Sequence, residues 1–178
     1  IESQADLERQ VAARTAELEA ANAELAKQAR RDPLTGLLNR RGFEQRASDL
    51  VHRQAGAAPF ALLLIDIDHF KAINDTFGHG VGDQTIRGFG GMLQHTLPQS
   101  ALIGRVGGEE FAILLERASP EMARLQAESV RLAIIGHEET DVPPFTVSIG
   151  VALASRVEPL PATFERADAA LYEAKRDR

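Results

Sequence analysis

The sequence predicts an α+β fold, in which a central mixed sheet is flanked by helices and preceded by a long N-terminal helix. Two observations support this fold class. Short apolar runs typical of strands alternate with segments whose apolar residues recur at helical spacing. A Gly-Gly step also separates two of the apolar runs, which indicates an antiparallel hairpin. The predicted elements indicate a sandwich of ferredoxin-like type, because their order is helix, strand, helix, hairpin, helix, strand and helix.

Residues 1–31 predict one long helix, because they contain no Gly or Pro and are rich in Ala, Glu, Gln and Arg. Val11, Leu18 and Leu25 recur every seven residues, beside a second seam that polar residues interrupt. This pattern favours a parallel coiled coil, which would join two chains, over a solitary exposed helix. Because the chain begins with Ile1 rather than Met, we expect it to be a fragment whose upstream sensor or membrane segment is missing.

The globular domain is expected to span residues 32–178. It begins at Asp32-Pro33, since Pro disfavours helical conformation in the residue before it. Apolar residues at helical spacing predict a helix over 42–54. The continuous apolar run Phe60–Asp66 is typical of a buried central strand, and it ends in an acid.

The second half of the domain follows the same alternation. Helical spacing predicts helices over 83–97 and 162–175, and Ser119-Pro120-Glu121 is a helix start that continues to about residue 135. The remaining apolar runs predict strands over 101–103, 111–115 and 145–152.

Composition limits the possible functions. The chain has 178 residues, enough for one domain and an appendage, and 44% of them are hydrophobic. A formal net charge of −6 argues against nucleic-acid binding, which needs clustered Lys and Arg, but leaves room for a small anionic substrate held by local cations. The absence of Cys excludes disulfides and thiolate metal sites and suits a reducing cytosol. The longest apolar run, Phe60–Ile65, is too short to span a bilayer.

The hairpin turn Gly107-Gly108-Glu109-Glu110 is the first candidate site. Glycine reaches positive φ without steric cost, and the lack of a Cβ would let a bulky ligand lie against the backbone. The turn would present two carboxylates on a narrow platform. The alternative is a solvated hairpin that happens to carry acids.

A second group of polar residues follows the predicted central strand. Asp66 and Asp68 come at its end, where open sheets bind ligands, and Lys71 offers a positive charge for a phosphate. A buried acid there is costly unless a metal or a partner compensates it. The alternative is that the two acids cap the next turn and Lys71 is solvated.

The Gly-rich segment between Asn74 and Asp83 has two equal interpretations. An Asn and an Asp side chain together can recognise guanine, since the amide contacts O6 or N7 and the carboxylate accepts from N1 and N2. Equally, the segment can be an ordinary loop in which Asp83 is the N-cap of the next helix.

Together these segments indicate metal-dependent phosphoryl or nucleotidyl transfer. If the hairpin lies beside the strand that ends at Asp66, then Asp66, Glu109 and Glu110 converge and repel one another unless divalent cations bind them. Mg²⁺ prefers carboxylates together with phosphate oxygens, and two such ions would activate a hydroxyl and neutralise a leaving group.

Residues 32–178 resemble a GGDEF domain of the diguanylate cyclase family, here with a Gly-Gly-Glu-Glu-Phe turn. Five sequence blocks in the family's order carry the resemblance: Asp32–Phe43, Asp66–Asp83, Gly104–Phe111, Thr146–Ala152 and Ala167–Lys175. The resemblance implies a nucleotidyl-cyclase-like fold and the condensation of two GTP molecules, one on each subunit of a homodimer, to cyclic di-GMP and pyrophosphate.

The resemblance also implies roles for individual residues. Asp66, the Ile67 carbonyl, Glu109 and Glu110 would hold Mg²⁺ or Mn²⁺, two ions per half-site, with Glu109 as the presumed base. Lys71 would stabilise charge on the phosphates. The other expected substrate contacts are Phe70, Asn74, His79, Asp83, Gly107, Gly108 and Lys175.

One departure from the family pattern concerns product inhibition. Many relatives carry Arg-x-x-Asp before the hairpin as an inhibitory product site, and Pro98 and Ala101 stand at those positions here. We therefore expect no inhibitory site there. The main alternative function is a non-catalytic GGDEF receptor or GTP-binding regulator, and another is a structural dimerisation module. The expected location is cytoplasmic, with a possible membrane anchor upstream.

Overall fold

The computed structural model describes residues 3–53, 59–136, 141–154 and 158–176. The chain divides into two compact units, Ile1–Arg30 and Arg31–Arg178. The first unit contains α1 (Gln4–Gln28). The second contains, in chain order, β1 (Leu38–Asn39), α2 (Arg40–Arg53), β2 (Phe60–Ile67), α3 (Phe70–Phe77), α4 (His79–Thr96), β3 (Leu102–Arg105), β4 (Glu110–Leu115), α5 (Pro120–Ile135), β5 (Val147–Ala154) and α6 (Leu160–Arg176).

The second unit contains a five-stranded mixed sheet in the order β1-β3-β4-β2-β5. β1 runs parallel to β3, and the other neighbouring strands are antiparallel. The predicted α+β class, with a mixed sheet flanked by helices and a long N-terminal helix, is confirmed.

β2 is buried on both faces, and its side chains alternate between two hydrophobic cores. Leu63 and Ile65 pack on the side of α3, α4 and α5, where Phe89 of α4 meets Phe111 of β4 edge to face at a centroid distance of 4.9 Å. Leu62 and Leu64 pack on the side of α2 and α6. Because both faces are covered, only the ends of β2 are available to a ligand.

Several predicted boundaries were wrong, most of all after β2. α3 was not predicted, and α4 begins at His79 rather than at residue 83. The interpretation of the Gly-rich segment as an ordinary loop is wrong, because most of it lies in α3 and α4 and only Gly78 within it has a positive φ, of 88°. Asp83 therefore lies inside α4, and the interpretation of Asp83 as an N-cap is wrong.

Other corrections are smaller. The two-residue strand β1 was not predicted, and β5 lies two residues later in the chain than expected. α2 and α6 each begin two residues before their predicted starts, and Gln54, the predicted end of α2, lies outside the described residues. Among the helices of the described ranges, none combines the length and apolar character needed to cross a bilayer.

Gly150 provides a test of the packing between β5 and α6. A Cβ at this position would collide with the Ala167 carbonyl oxygen and the Leu171 backbone nitrogen, which cannot move without displacing the helix. We expect Gly150→Ala to lower the free energy of unfolding by about 3 kcal/mol, measured by urea denaturation. Gly91→Ala is the matched control, because a Cβ at Gly91 meets open space. It should change stability by less than about 1 kcal/mol. Equal stability of the two variants would contradict this packing.

Candidate active site

The antiparallel pairing of β2 with β4 positions the acidic residues of the site. Asp66 and Glu110 are direct register partners, and the Ile67 backbone N–H donates to the Glu109 carbonyl at 3.2 Å. Asp66 is only 7% exposed, while Glu109 and Glu110 are half-buried. The structure thus brings together at one end of the sheet the segments that carry Asp66, Ile67, Glu109 and Glu110.

The hairpin turn is fixed by backbone and side-chain hydrogen bonds. Val106 and Gly107 both donate their backbone N–H to the Glu110 carbonyl, at 2.9 and 3.2 Å. Arg105 donates to the Gly108 carbonyl through Nε and Nη2, at 3.0 and 2.8 Å. The orientation of the turn is therefore determined by Arg105 as well as by the strand ladder.

Of the two glycines of the turn, Gly107 is needed for space, and neither is needed for its backbone conformation. Neither has a positive φ, so the predicted conformational reason for the Gly-Gly step was wrong. The Glu110 side chain lies across Gly107, where an added Cβ would collide with Oε2 and come within 3.1 Å of the Glu110 Cβ. Gly108 faces open space, which leaves room for a ligand against the backbone.

Arg105 also connects the turn to the start of the domain. Its Nη1 donates to both carboxylate oxygens of Asp32, at 3.0 and 3.2 Å, and both side chains are largely buried. Burial alone would raise the pKa of Asp32, but hydrogen bonds from Thr35 and Arg105 outweigh it and hold that pKa below its usual value. Sequence reasoning missed both residues as supports of the turn, because they are far apart in the chain.

Lys175, predicted to reach a triphosphate, pairs with a predicted metal ligand instead. Its Nζ lies 2.9 Å from Asp66 Oδ2, and its side chain is 42% exposed. The ammonium ion provides the counter-charge that a nearly buried carboxylate requires. Lys175 is therefore the positive charge that balances Asp66.

The pKa of Glu110 is raised above its usual value. Burial is the main cause, the negative charge of Asp66 adds to it, and the positive charge of Lys175 opposes it. Glu109 contributes further repulsion. The acidic groups therefore lie close enough to one another to interact unfavourably.

The donor chemistry fits a hard divalent cation, although no cage is preformed. Carboxylate and carbonyl oxygens are the ligands that Mg²⁺ prefers. The Asp66 carboxylate already binds one cationic group, the ammonium of Lys175. Within the described ranges, no three His, Asp or Glu side chains lie close enough together to hold a metal. The backbones of Asp66, Glu109 and Glu110 thus come together as expected, but their carboxylates do not lie close enough to hold one metal ion. Glu110 lies over Gly107, and Asp66 is paired with Lys175.

The remaining predicted substrate residues lie on α3 and α4. Phe70 and Lys71 are in the first turn of α3, and Asn74 is half-buried further along it. His79 and Asp83 are exposed on the first two turns of α4. Phe70 and Asn74 both contact Gly82, so the structure brings Asn74 next to the turn of α4 that carries Asp83.

Neither Asp66 nor Asp68 is the N-cap of α3, while Lys71 is exposed, as the alternative interpretation expects. The N-cap of α3 is His69, whose φ is 55° and which makes no side-chain cap bond. Asp68 instead accepts hydrogen bonds from the hydroxyls of Thr146 and Ser148, at 2.6 and 2.7 Å. These bonds attach the loop after β2 to β5.

The raised pKa of Glu110 predicts a dependence of stability on pH. The folded chain binds the proton of the Glu110 carboxyl more tightly than the unfolded chain does. Ionisation of Glu110 therefore lowers the free energy of unfolding as the pH rises above 4.5, the ordinary pKa of a Glu side chain. Without divalent cations, Glu110→Gln should therefore raise the melting temperature by about 2 °C at about pH 7. The gain should disappear at about pH 3, where the carboxyl is neutral in both states. A lower melting temperature for the variant at neutral pH would contradict this account.

Comparison with known proteins identifies the family of the chain. A family profile described as diguanylate cyclase, GGDEF domain, matches residues 29–178. Diguanylate cyclase DgcP of Pseudomonas aeruginosa is 42% identical over 149 residues, which cover 82% of this chain and 22% of DgcP. Diguanylate cyclase DgcM of Escherichia coli K12 is 41% identical over 150 residues, which cover 84% of this chain and 37% of DgcM. The chain thus spans less than half the length of these relatives.

Solved structures show the same fold. The GGDEF domain of DgcB from Caulobacter crescentus, in complex with c-di-GMP, has a TM-score of 0.76 at 34% identity and covers 83% of this chain and 88% of that one. The coiled coil and GGDEF domain of DgcB, also with c-di-GMP, has a TM-score of 0.76 at 32% identity, with coverages of 96% and 95%. The profile match spans most of the chain. This chain therefore belongs to the GGDEF-domain family of diguanylate cyclases.

Proposed function

We propose that the chain carries the catalytic domain of a diguanylate cyclase, which condenses two GTP molecules into cyclic di-GMP. The observation that carries this proposal is the register of Asp66 opposite Glu110, beside a turn whose outer face is open at Gly108. The family membership supports it, and so does the cyclic di-GMP bound to the GGDEF domain of DgcB.

The reaction joins two half-sites. The 3′-hydroxyl of each GTP attacks the α-phosphorus of the other, a new P–O bond forms, and the bond to the β-phosphate breaks. Two GTP molecules thus yield one cyclic dinucleotide and two pyrophosphates, and each attacking hydroxyl gives up one proton. Glu109, at the tip of the turn, is the proposed acceptor of that proton.

We assign the cation site to the carboxylates of Asp66, Glu109 and Glu110 and to the Ile67 carbonyl, with two Mg²⁺ or Mn²⁺ ions per half-site. A cation bound there would neutralise triphosphate charge and lower the pKa of the attacking hydroxyl. The protein's own part is to hold the carboxylates on two paired strands. It also supplies Lys175, which leaves Asp66 for a phosphate oxygen when another positive charge takes its place.

Base recognition is assigned to the crossing of α3 and α4. Asn74 donates to O6 or N7 of guanine, and Asp83 accepts from N1 and N2. Phe70 and His79 line the same pocket, and Lys71 contacts the phosphates from the first turn of α3. The open backbone at Gly108 lets the ribose and phosphates lie against the turn.

Dimerisation is assigned to α1. Leu7, Val11, Leu18 and Leu25 are each more than half exposed on the described helix, which is unfavourable unless a second helix covers them. We propose that residues 1–31 form a parallel coiled coil, through which an upstream sensor sets how the two half-sites face each other. The substrate and the absence of Cys suit a cytoplasmic domain.

The catalytic assignment predicts a loss of activity in Glu109→Gln. We expect the purified chain to convert GTP to cyclic di-GMP with Mg²⁺, and Glu109→Gln to lower the rate by about 100-fold or more, measured by chromatography of the product. Glu116→Gln, just past the other end of β4, is the matched control and should keep the wild-type rate. Chelation of divalent cations should abolish product formation.

If the wild-type chain makes no product, a second experiment is needed, because the chain could fail only for want of a partner half-site. A leucine zipper fused in register with the heptads of α1 forces the dimer. If the forced dimer also makes no product but binds GTP, the domain is a GTP-binding regulator and the proposed activity is wrong.

The presence of Pro98 and Ala101, where many relatives have the Arg and Asp of an inhibitory product site, predicts weak product inhibition. Pro98 and Ala101 form the turn before β3, where the Ala101 N–H donates to the Pro98 carbonyl at 2.9 Å. Neither side chain can bind a phosphate or a guanine base. We expect the wild-type rate to be insensitive to added cyclic di-GMP, and the double variant Pro98→Arg/Ala101→Asp to become inhibited. Strong inhibition of the wild type would contradict the loss of this site.

A further inference from the structure

Gly82 of α4 lies against side chains of α3 in the proposed base pocket. It is buried in the second turn of α4. A Cβ built on it would collide with Asn74 Oδ1, come within 2.9 Å of Asn74 Cγ and within 3.2 Å of Phe70 Cζ. Both neighbours are residues assigned to the nucleotide pocket, and both come from α3.

Space is the reason for glycine at this position. Gly82 is helical and its φ is not in the left-handed region, so any residue could adopt its backbone conformation. Other glycines of the same helix differ, since a Cβ at Gly80 or Gly91 would meet nothing within 4 Å. The carboxamide of Asn74 therefore occupies the space that a Cβ on residue 82 would need.

The Asn74 carboxamide depends on this packing for its position. Its Oδ1 is buried and has no hydrogen-bond partner among the described residues. A buried acceptor without a partner gains nothing from its own surroundings, so no hydrogen bond to Oδ1 holds this end of the amide in place. Contact with the Gly82 backbone is the interaction that orients it.

We propose that Gly82 is a positioning residue for guanine recognition. By leaving room for the Asn74 carboxamide against the backbone of α4, it sets the depth at which that amide meets the O6 and N7 edge of the base. This inference rests on the proposed function, in which Asn74 and Asp83 read guanine. It adds that the recognition depends on a residue that touches neither the base nor the phosphates.

The test separates binding from chemistry by using 3′-deoxy-GTP, which lacks the attacking hydroxyl. We expect Gly82→Ala to raise its Kd about tenfold by titration calorimetry, because the displaced amide loses its hydrogen bond to the base. The 3′-deoxy form of ITP keeps O6 and N7 and lacks only the 2-amino group. Gly82→Ala should therefore weaken it by the same factor, whereas a general distortion that also moved Asp83 would weaken GTP more.

A double-variant cycle provides the structural control. In an Asn74→Ala background, Gly82→Ala should cause no further loss of affinity, because the side chain that it displaces is gone. Gly91→Ala, in the same helix with open space around it, should bind like the wild type. If Gly82→Ala alone does not fold, by circular dichroism, recovery of the fold in the Asn74→Ala/Gly82→Ala chain supports the same contact.

Five results would overturn the inference, and the first is a larger loss of affinity for 3′-deoxy-GTP than for the 3′-deoxy form of ITP. Wild-type affinity in Gly82→Ala would show that the contact is unimportant. An equal loss in the presence and absence of the Asn74 side chain would assign Gly82 a structural role alone, as would failure of both the single and the double variant to fold. Absence of 3′-deoxy-GTP binding by the wild type would remove the proposed function itself, and this inference with it.

Discussion

The antiparallel register between β2 and β4 is the constraint on which the site depends. It sets Asp66, at the end of a strand buried on both faces, directly opposite Glu110 at the start of the hairpin's second strand. A shift of one residue would turn Asp66 to the other face of the sheet. The hydrophobic alternation of β2 between two cores prevents such a shift, so the position of the acidic site follows from the packing of the apolar residues.

Charge balance explains the arrangement around that register. The acids repel one another, as the raised pKa of Glu110 indicates, and the positive charge of Lys175 from the distant α6 opposes that repulsion. Lys175 pairs with Asp66, and Arg105 holds both Asp32 and the Gly108 carbonyl. The first is an exposed, replaceable counter-ion, whereas the second is a buried support of the turn. A site organised in this way is suited to exchange its counter-ion for a cation and an anionic substrate.

Much of the fold and the candidate residues could be predicted from the sequence, because local patterns and short motifs determine them. The strand ending at Asp66, the hairpin and the family follow from runs of adjacent residues. The Gly-rich start of α4 was misjudged, since glycine there serves close packing against Asn74 rather than a break in the helix. Arg105 with Asp32, and Lys175 with Asp66, join residues far apart in the chain. No periodicity indicates such pairs, and only the folded register brings them together.

The most direct test of the account is a crystal structure of the chain with 3′-deoxy-GTP and Mn²⁺, in which anomalous scattering locates the metal. The account predicts metal density beside Asp66, Glu109 and Glu110, Lys175 moved from Asp66 to the triphosphate, and the guanine base between Asn74 and Asp83. Metal and base bound elsewhere, with Lys175 still paired to Asp66, would contradict it.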